Sequence, residues 1–167
     1  LGCNDGRFSR VAAGAGAYVV AIDADEVAVD RLYRELRGEA AKRILPLAQD
    51  LVDSSPNMGW RGTERERLEQ RGRPDLVLAL ALVHHLAIGA NVPLAAIVDW
   101  LADLGAAVVI EFPTREDPMV ARLLARKREH AHPDYGLENF EALLARRFTV
   151  ARREQLGSRM LFEARPR

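Results

Sequence analysis

The chain has 167 residues, 49% hydrophobic and 29% charged, which suits a single domain over residues 1–167 of ordinary globular composition with room for a core. Lys plus Arg and Asp plus Glu both number 24, so no net field attracts nucleic acid or an anionic membrane. The one cysteine, Cys3, excludes a disulfide scaffold and any CxxC metal site, and fits a reducing, cytoplasmic setting.

Short apolar runs alternate with amphipathic stretches along the chain. The segment from Ala17 to Asp23 reads as a strand buried on both faces, and Glu26 to Arg37 as a helix with Val27, Leu32 and Leu36 on one side. Ile44 to Ala48 is a short strand, followed by a loop rich in Ser, Pro, Asn and Gly through Gly59. Thr63 to Glu66 has capping-box spacing and predicts a short charged helix that Gly72 closes. The longest apolar run, Leu76 to Val83, falls well short of the ~18–20 residues of a membrane span and reads as a buried strand starting at Asp75.

Asn91, Val92 and Pro93 mark a helix start, after which Leu94, Ile97, Val98 and Leu101 recur at helical spacing. Ala106 to Phe112 is another buried strand. Asp117 followed by Pro118 is an N-cap with proline in the first turn, and a further helix carries Phe140, Leu143, Leu144 and Phe148. The end alternates as a hairpin around Gly157 and Ser158. Strand–helix alternation closed by a hairpin predicts α/β: a doubly wound, mostly parallel sheet with a C-terminal antiparallel element.

The first residues carry the functional signal. Gly2, Asn4 and Gly6 form a G-x-N-x-G loop that runs into an amphipathic helix. Glycine lets a ligand approach backbone closely, Asn tolerates positive φ, and the helix behind supplies free N–H groups. Asp23 ends the next strand, 21 positions after Gly2, where a carboxylate can accept from both hydroxyls of a ribose. Its bland alternative is to cap the following helix, a task Asp25 could equally perform. A dinucleotide fingerprint would need a third glycine six positions in, where Arg7 stands, so the loop favours a nucleoside without a pyrophosphate.

These residues resemble a class I S-adenosylmethionine-dependent methyltransferase across essentially the whole chain. Leu1 to Ser9 resembles the family's motif I and Val20 to Asp25 its motif II. Gln49, Asp50 and Leu51 resemble the adenine-contacting segment, and Asp75 to Leu86 the motif IV strand with its Val83-His84-His85-Leu86 ending. A nodulation-related methyltransferase branch is similar as well.

The resemblance implies a Rossmann-like fold whose terminal hairpin inserts one strand antiparallel. It also implies S-adenosyl-L-methionine as cofactor. Gly2, Cys3, Asn4 and Gly6 would line the methionine end, Asp23 would hold the ribose, and Ala24, Asp50 and Leu51 the adenine. Asn4 departs from the usual middle glycine. The strand that leads into motif I in the family is missing before Leu1, so the native polypeptide is expected to extend upstream with its first central strand there.

Alignment of donor and acceptor supplies roughly 7–11 kcal/mol in well-oriented reactions, against about 3–5 kcal/mol for a general base. A base is therefore needed only for a protonated acceptor such as a hydroxyl. His84 is the expected base or acceptor-positioner, His85 its neighbour against cofactor or core, and Glu111 could orient an acceptor or a histidine. His130 and His132, beside Tyr135, could form a substrate lid, though a surface loop is the simpler reading. Trp60 and Trp100 read as packing residues. The spacings of His84, His85, Glu111 and His132 match no metal-ligand motif, so no metal is expected.

The expected activity is methyl transfer to a small-molecule acceptor, with no nucleic-acid or membrane partner. A cofactor-binding but non-catalytic domain and an NAD-dependent oxidoreductase are the alternatives.

Overall fold

A computed structural model describes residues 1–36 and 43–167. They cluster into two compact units, Leu1–Ser54 and Ser55–Arg167. No helix among them is long and apolar enough to cross a membrane.

In the first unit, α1 (Arg7–Gly14) leads to β1 (Val19–Asp23), α2 (Glu26–Leu36) and β2 (Ile44–Ala48). The two strands pair in parallel, Val19 opposite Ile44 through Asp23 opposite Ala48. β1 starts two residues later than the apolar run suggested, and it is only partly buried. Ala21 and Ile22 are buried, whereas Val20 and its cross-strand partner Leu45 are 52% and 58% exposed.

Asp25 starts α2, its Oδ1 accepting from the N–H groups of Val27 (2.9 Å) and Ala28 (3.2 Å). The helix then buries Ala28, Val29 and Leu32. Val27, expected on that face, is exposed: it lies about 100° around the helix from Ala28, and the Ala28–Leu32 line is the one turned inward. Arg37 falls outside the described residues.

The second unit begins with irregular chain where a charged helix was expected. Trp60–Gly62 and Leu68–Gln70 are single 3-10 turns, and Met58 bridges Arg65 in antiparallel fashion. The Thr63 hydroxyl donates to the Trp60 carbonyl instead of capping a helix, and the Asn57 side chain accepts the Arg67 N–H at 2.6 Å. These local side-chain bonds offer the backbone an alternative to a helical ladder.

β3 (Leu76–Ala79), α3 (Leu94–Asp103), β4 (Ala107–Pro113), α4 (Pro118–Leu124), α5 (Leu137–Arg147), β5 (Phe148–Leu156) and β6 (Arg159–Pro166) follow. The sheet order is β3-β4-β6-β5, with β3–β4 parallel and both pairings of β6 antiparallel. The hairpin thus inserts its second strand between β4 and β5. The fold is mixed α/β with parallel pairs and one antiparallel terminal element, as the alternation predicted.

The core of this unit is aromatic. Phe112 stacks on Tyr135 (4.8 Å) and on Phe140 (4.5 Å), and Phe140 meets Phe162 at 5.8 Å. Ile97, Val98 and Leu101 of α3 are buried as their spacing required. A fully buried Phe contributes roughly 1.5–3 kcal/mol. The bridges from Arg147 to Asp99 and Asp103 are exposed and screened by solvent, so packing dominates.

Gly6 joins loop to core in the first unit. Its φ is 77°, and an added Cβ would stand 2.5 Å from Cδ1 of Leu32, which is fully buried. Gly157 at the hairpin turn has φ 61° but meets nothing within 4 Å. Gly157→Ala should therefore cost only the left-handed strain, about 1–2 kcal/mol. Gly6→Ala should exceed it by about 1–3 kcal/mol of overpacking. Urea unfolding of the two variants measures the difference; equal losses would contradict the packing role of Gly6.

Candidate active site

The first unit builds a loop around one carboxylate. Gly2 (φ 63°), Asn4 (φ 45°) and Gly6 (φ 77°) all adopt left-handed backbone, which folds Leu1 to Gly6 into a tight bend. The bend is fastened by Cys3 N–H donating to the Ile22 carbonyl (2.9 Å) and Gly6 N–H to the Cys3 carbonyl (2.8 Å). Asp23, at the carboxyl end of β1, accepts from the Asn4 N–H at Oδ2 (2.7 Å) and from the Asp25 N–H at Oδ1 (2.9 Å). Because Asp25 caps α2, Asp23 does not, and the capping alternative for Asp23 falls away.

A carboxylate offers about four acceptor sites, and these two bonds use two of them. Asp23 can thus still accept from a pair of hydroxyls. Gln49 N–H donates to the Asp23 carbonyl (2.9 Å), tying the end of β2 to the same place, and Asp50 accepts from the Val52 N–H (2.8 Å) in a turn that leaves Asp50 exposed. Ala24 is exposed and Leu51 half-buried. Burial and then the Asp23 charge push the Cys3 thiol up, so it stays protonated and serves as a small filler.

These residues suit an adenosine-bearing cofactor. The backbone bend presents little side-chain bulk, and the carboxylate beside it keeps acceptor capacity for a ribose.

The second unit assembles a separate polar cluster. β3 ends at Ala79, five residues before His84, so the two histidines lie beyond the strand and not at its end as expected. The chain turns through Ala81 in left-handed backbone (φ 50°), and His85 opens a π-helical turn, His85–Gly89. His84 is 1% exposed and His85 is exposed, with ring centroids 4.1 Å apart. The Nδ1 of His84 is buried without a hydrogen-bond partner. Burial, and then the neighbouring His85, hold the imidazole down at about pKa 4, so it is neutral at pH 7.

Glu111, near the end of β4, accepts from the Ala81 N–H at 2.6 Å and from Arg159 Nη1 at 3.1 Å. Arg159 also donates through Nε to Asp117 at 2.7 Å, and Asp117 accepts the Met119 N–H at 2.9 Å as the cap of α4. Burial would raise the Asp117 carboxyl, but the Arg159 and Met119 bonds outweigh it and hold it below the ordinary value. Each oxygen of Glu111 thus accepts one bond, which links β4 to the Ala81 turn and to the hairpin.

The remaining candidates separate. Tyr135 is buried, donating its hydroxyl to the Pro113 carbonyl at 2.7 Å, so the proposed lid is tied to the core at that residue. The His132 carbonyl accepts from Arg115, while the His130 side chain is exposed. Trp60 is 77% exposed and does not pack, whereas the Trp100 indole donates to Glu69 at 3.3 Å. Among the described residues no group of three metal-ligating side chains comes together. Sequence reasoning missed Ala81 and Arg159. The only early trace of Arg159 was its place just after the Gly157–Ser158 turn.

The His84 environment has a pH consequence. The folded chain takes up its proton near pH 4 and the unfolded chain near 6.5, so protonation favours unfolding. Stability from this group is complete above pH 6.5 and falls, by up to roughly 3 kcal/mol, as the pH drops toward 4. Asp117 acts in a lower window, below its ordinary value of 3.8. Denaturant unfolding at stepped pH should show the native chain losing stability relative to His84→Asn between 6.5 and 4; parallel curves would contradict the assignment.

No family model matches the sequence. The chain is 41% identical over 151 residues to the nodulation protein NoeA of Rhizobium meliloti (strain 1021), covering 90% of this chain and 31% of that protein. It therefore spans about a third of the length of that relative. Among solved structures, PH0226 from Pyrococcus horikoshii OT3 superposes with a TM-score of 0.64 at 16% identity, covering 99% of this chain and 79% of that one. The bifunctional kinase-methyltransferase WbdD gives 0.64 at 14% identity over 99% and 33% of the two chains. The 16S rRNA (adenine(1408)-N(1))-methyltransferase from Catenulisporales acidiphilia gives 0.57 at 18% identity over 99% and 83%. The chain is a relative of NoeA over most of its sequence and has the Rossmann-like fold of the class I methyltransferases.

Proposed function

We propose that the chain transfers a methyl group from S-adenosyl-L-methionine to a small-molecule acceptor. The observation that carries this reading is the Asp23 carboxylate, bonded to the Asn4 and Asp25 N–H groups and retaining acceptor capacity beside a left-handed backbone bend. Gly2, Cys3, Asn4 and Gly6 would face the methionine end of the cofactor, Asp23 the ribose, and Ala24, Asp50 and Leu51 the adenine. Residues 1–167 would act as one cofactor-binding domain. The net charge of zero, with no excess of Lys and Arg, favours a small molecule over nucleic acid.

When bound, the cofactor supplies a sulfonium methyl ready for in-line displacement. The chain's own contribution is chiefly alignment. His84, neutral at pH 7, has the protonation state needed to accept a proton from an acceptor hydroxyl, and its unpartnered Nδ1 marks unused capacity. His85, exposed beside it, contacts ligand or solvent. Glu111 holds the turn that carries them.

A second reading, a binding domain without turnover, draws on the low basicity of His84. Incubation with methyl-labelled S-adenosylmethionine and a panel of hydroxyl and amine acceptors separates the two. Labelled product supports catalysis, and cofactor binding without product across the panel supports the binding domain.

Calorimetry with S-adenosylhomocysteine tests the cofactor site itself. A charge-assisted bond contributes about 1.5–3 kcal/mol, so Asp23→Asn should weaken binding by roughly 10–150-fold. The native circular dichroism should persist. Unchanged affinity, or a preference of the native chain for NADH, would overturn the assignment.

A further inference from the structure

The hairpin residue Arg159 connects three segments of the second unit that are distant in sequence. It donates to Glu111 on β4 and to Asp117 at the start of α4, and Glu111 in turn accepts the N–H of Ala81. The side chains of Asp117 and Glu111 are 3% and 13% exposed, and that of Arg159 is 33% exposed. Two carboxylates this buried would be costly without a cation, so Arg159 is what permits them.

The chain of bonds ends at a strained place. Ala81 has φ 50°, a left-handed conformation that is unfavourable for a residue with a Cβ. Such strain persists only when its surroundings over-determine it. Here the restraint is the 2.6 Å bond from Ala81 N–H to Glu111, and His84 follows three residues later in a buried position with no hydrogen bond at Nδ1. Hydrogen bonding at that atom therefore does not fix the imidazole, which leaves its packing and the course of its backbone to hold it.

We propose that Arg159 is a positioning residue for His84: by gripping Glu111 it locks the left-handed turn at Ala81, and by gripping Asp117 it fixes the start of α4 beside the same imidazole. The proximity of that second arm is visible in the electrostatics, since the charges of Asp117 and Arg159 both reach His84, the carboxylate favouring its protonation and the guanidinium opposing it. The proposal rests on the reading of His84 as the acceptor-side group. It assigns the C-terminal hairpin a part in the site, delivered through the antiparallel β4–β6 register that sets Arg159 opposite Pro113.

Arg159 also borders a cavity of about 240 Å³ together with Thr114, Glu116, Gln155 and Ser158. A shorter side chain at this position therefore meets open space and no steric clash. Nitrogen-15 correlation spectra of the imidazoles across a pH titration, recorded on the full chain, need neither cofactor nor acceptor.

In Arg159→Met the His84 resonances should broaden or split, and its titration midpoint should rise because an opposing positive charge is gone while Asp117 remains. Arg159→Lys keeps the charge but not the two-armed geometry of the guanidinium. There the midpoint should return toward native while the broadening persists.

If His84 resonances in folded Arg159→Met coincide with native, the proposal fails. It fails equally if lysine restores both the midpoint and the line shape, since the effect would then be charge alone. Should Arg159→Met not fold, the lysine variant decides by the same line shape. Absence of S-adenosylhomocysteine binding by the native chain in calorimetry would instead sink the functional reading, and because the spectra are recorded without cofactor the two failures are distinguishable.

Discussion

The first unit depends on how a single carboxylate, Asp23, is shared between neighbouring backbone groups. Its two oxygens satisfy the N–H of Asn4 across the loop and of Asp25 at the approach to α2. The first bond holds the glycine bend against β1; the second joins it to the helix that Asp25 caps. Capping by Asp25 is what releases Asp23 from the role its position most simply suggests. A carboxylate so placed is ordered before any ligand arrives, which limits the entropy that binding would otherwise cost. Gly6 reinforces the arrangement from below, because its missing Cβ lets the loop close on Leu32.

The second unit solves a different problem, that of keeping charged groups inside. Arg159 hydrogen-bonds both Asp117 and Glu111 and offsets one of their two charges, and each carboxylate also takes a backbone N–H. Breaking such a cluster at one member leaves an uncompensated charge, which costs far more than an exposed ion pair contributes. His84 sits near this cluster but outside its hydrogen bonds, which leaves Nδ1 buried and unpaired. A buried unpaired nitrogen is expensive, and such sites concentrate where function requires them.

Much of this was legible from residue order. Alternation identified β2, β4 and the terminal hairpin, and the Leu94–Leu101 spacing identified the inward face of α3. The Asp117–Pro118 pair marked the start of α4 because capping and proline chemistry are local. Local reasoning failed where side chains found other partners. Thr63 bonded to Trp60, and a predicted helix became two turns. The apolar run after Asp75 continued as sequence but not as strand: β3 ends at Ala79, and the Ala81 N–H bonds to Glu111, thirty residues further along. Arg159 was invisible for the same reason: its meaning comes from strand register, which no motif records.

The account stands or falls on where an adenosyl group sits. A crystal structure of the chain with S-adenosylhomocysteine tests this most directly. The account predicts ribose hydroxyls within hydrogen-bonding distance of the Asp23 carboxylate, with the amino-acid end against the backbone of Gly2 to Gly6. Density for the nucleoside at any other place, with Asp23 still bonded only to Asn4 and Asp25, would contradict it.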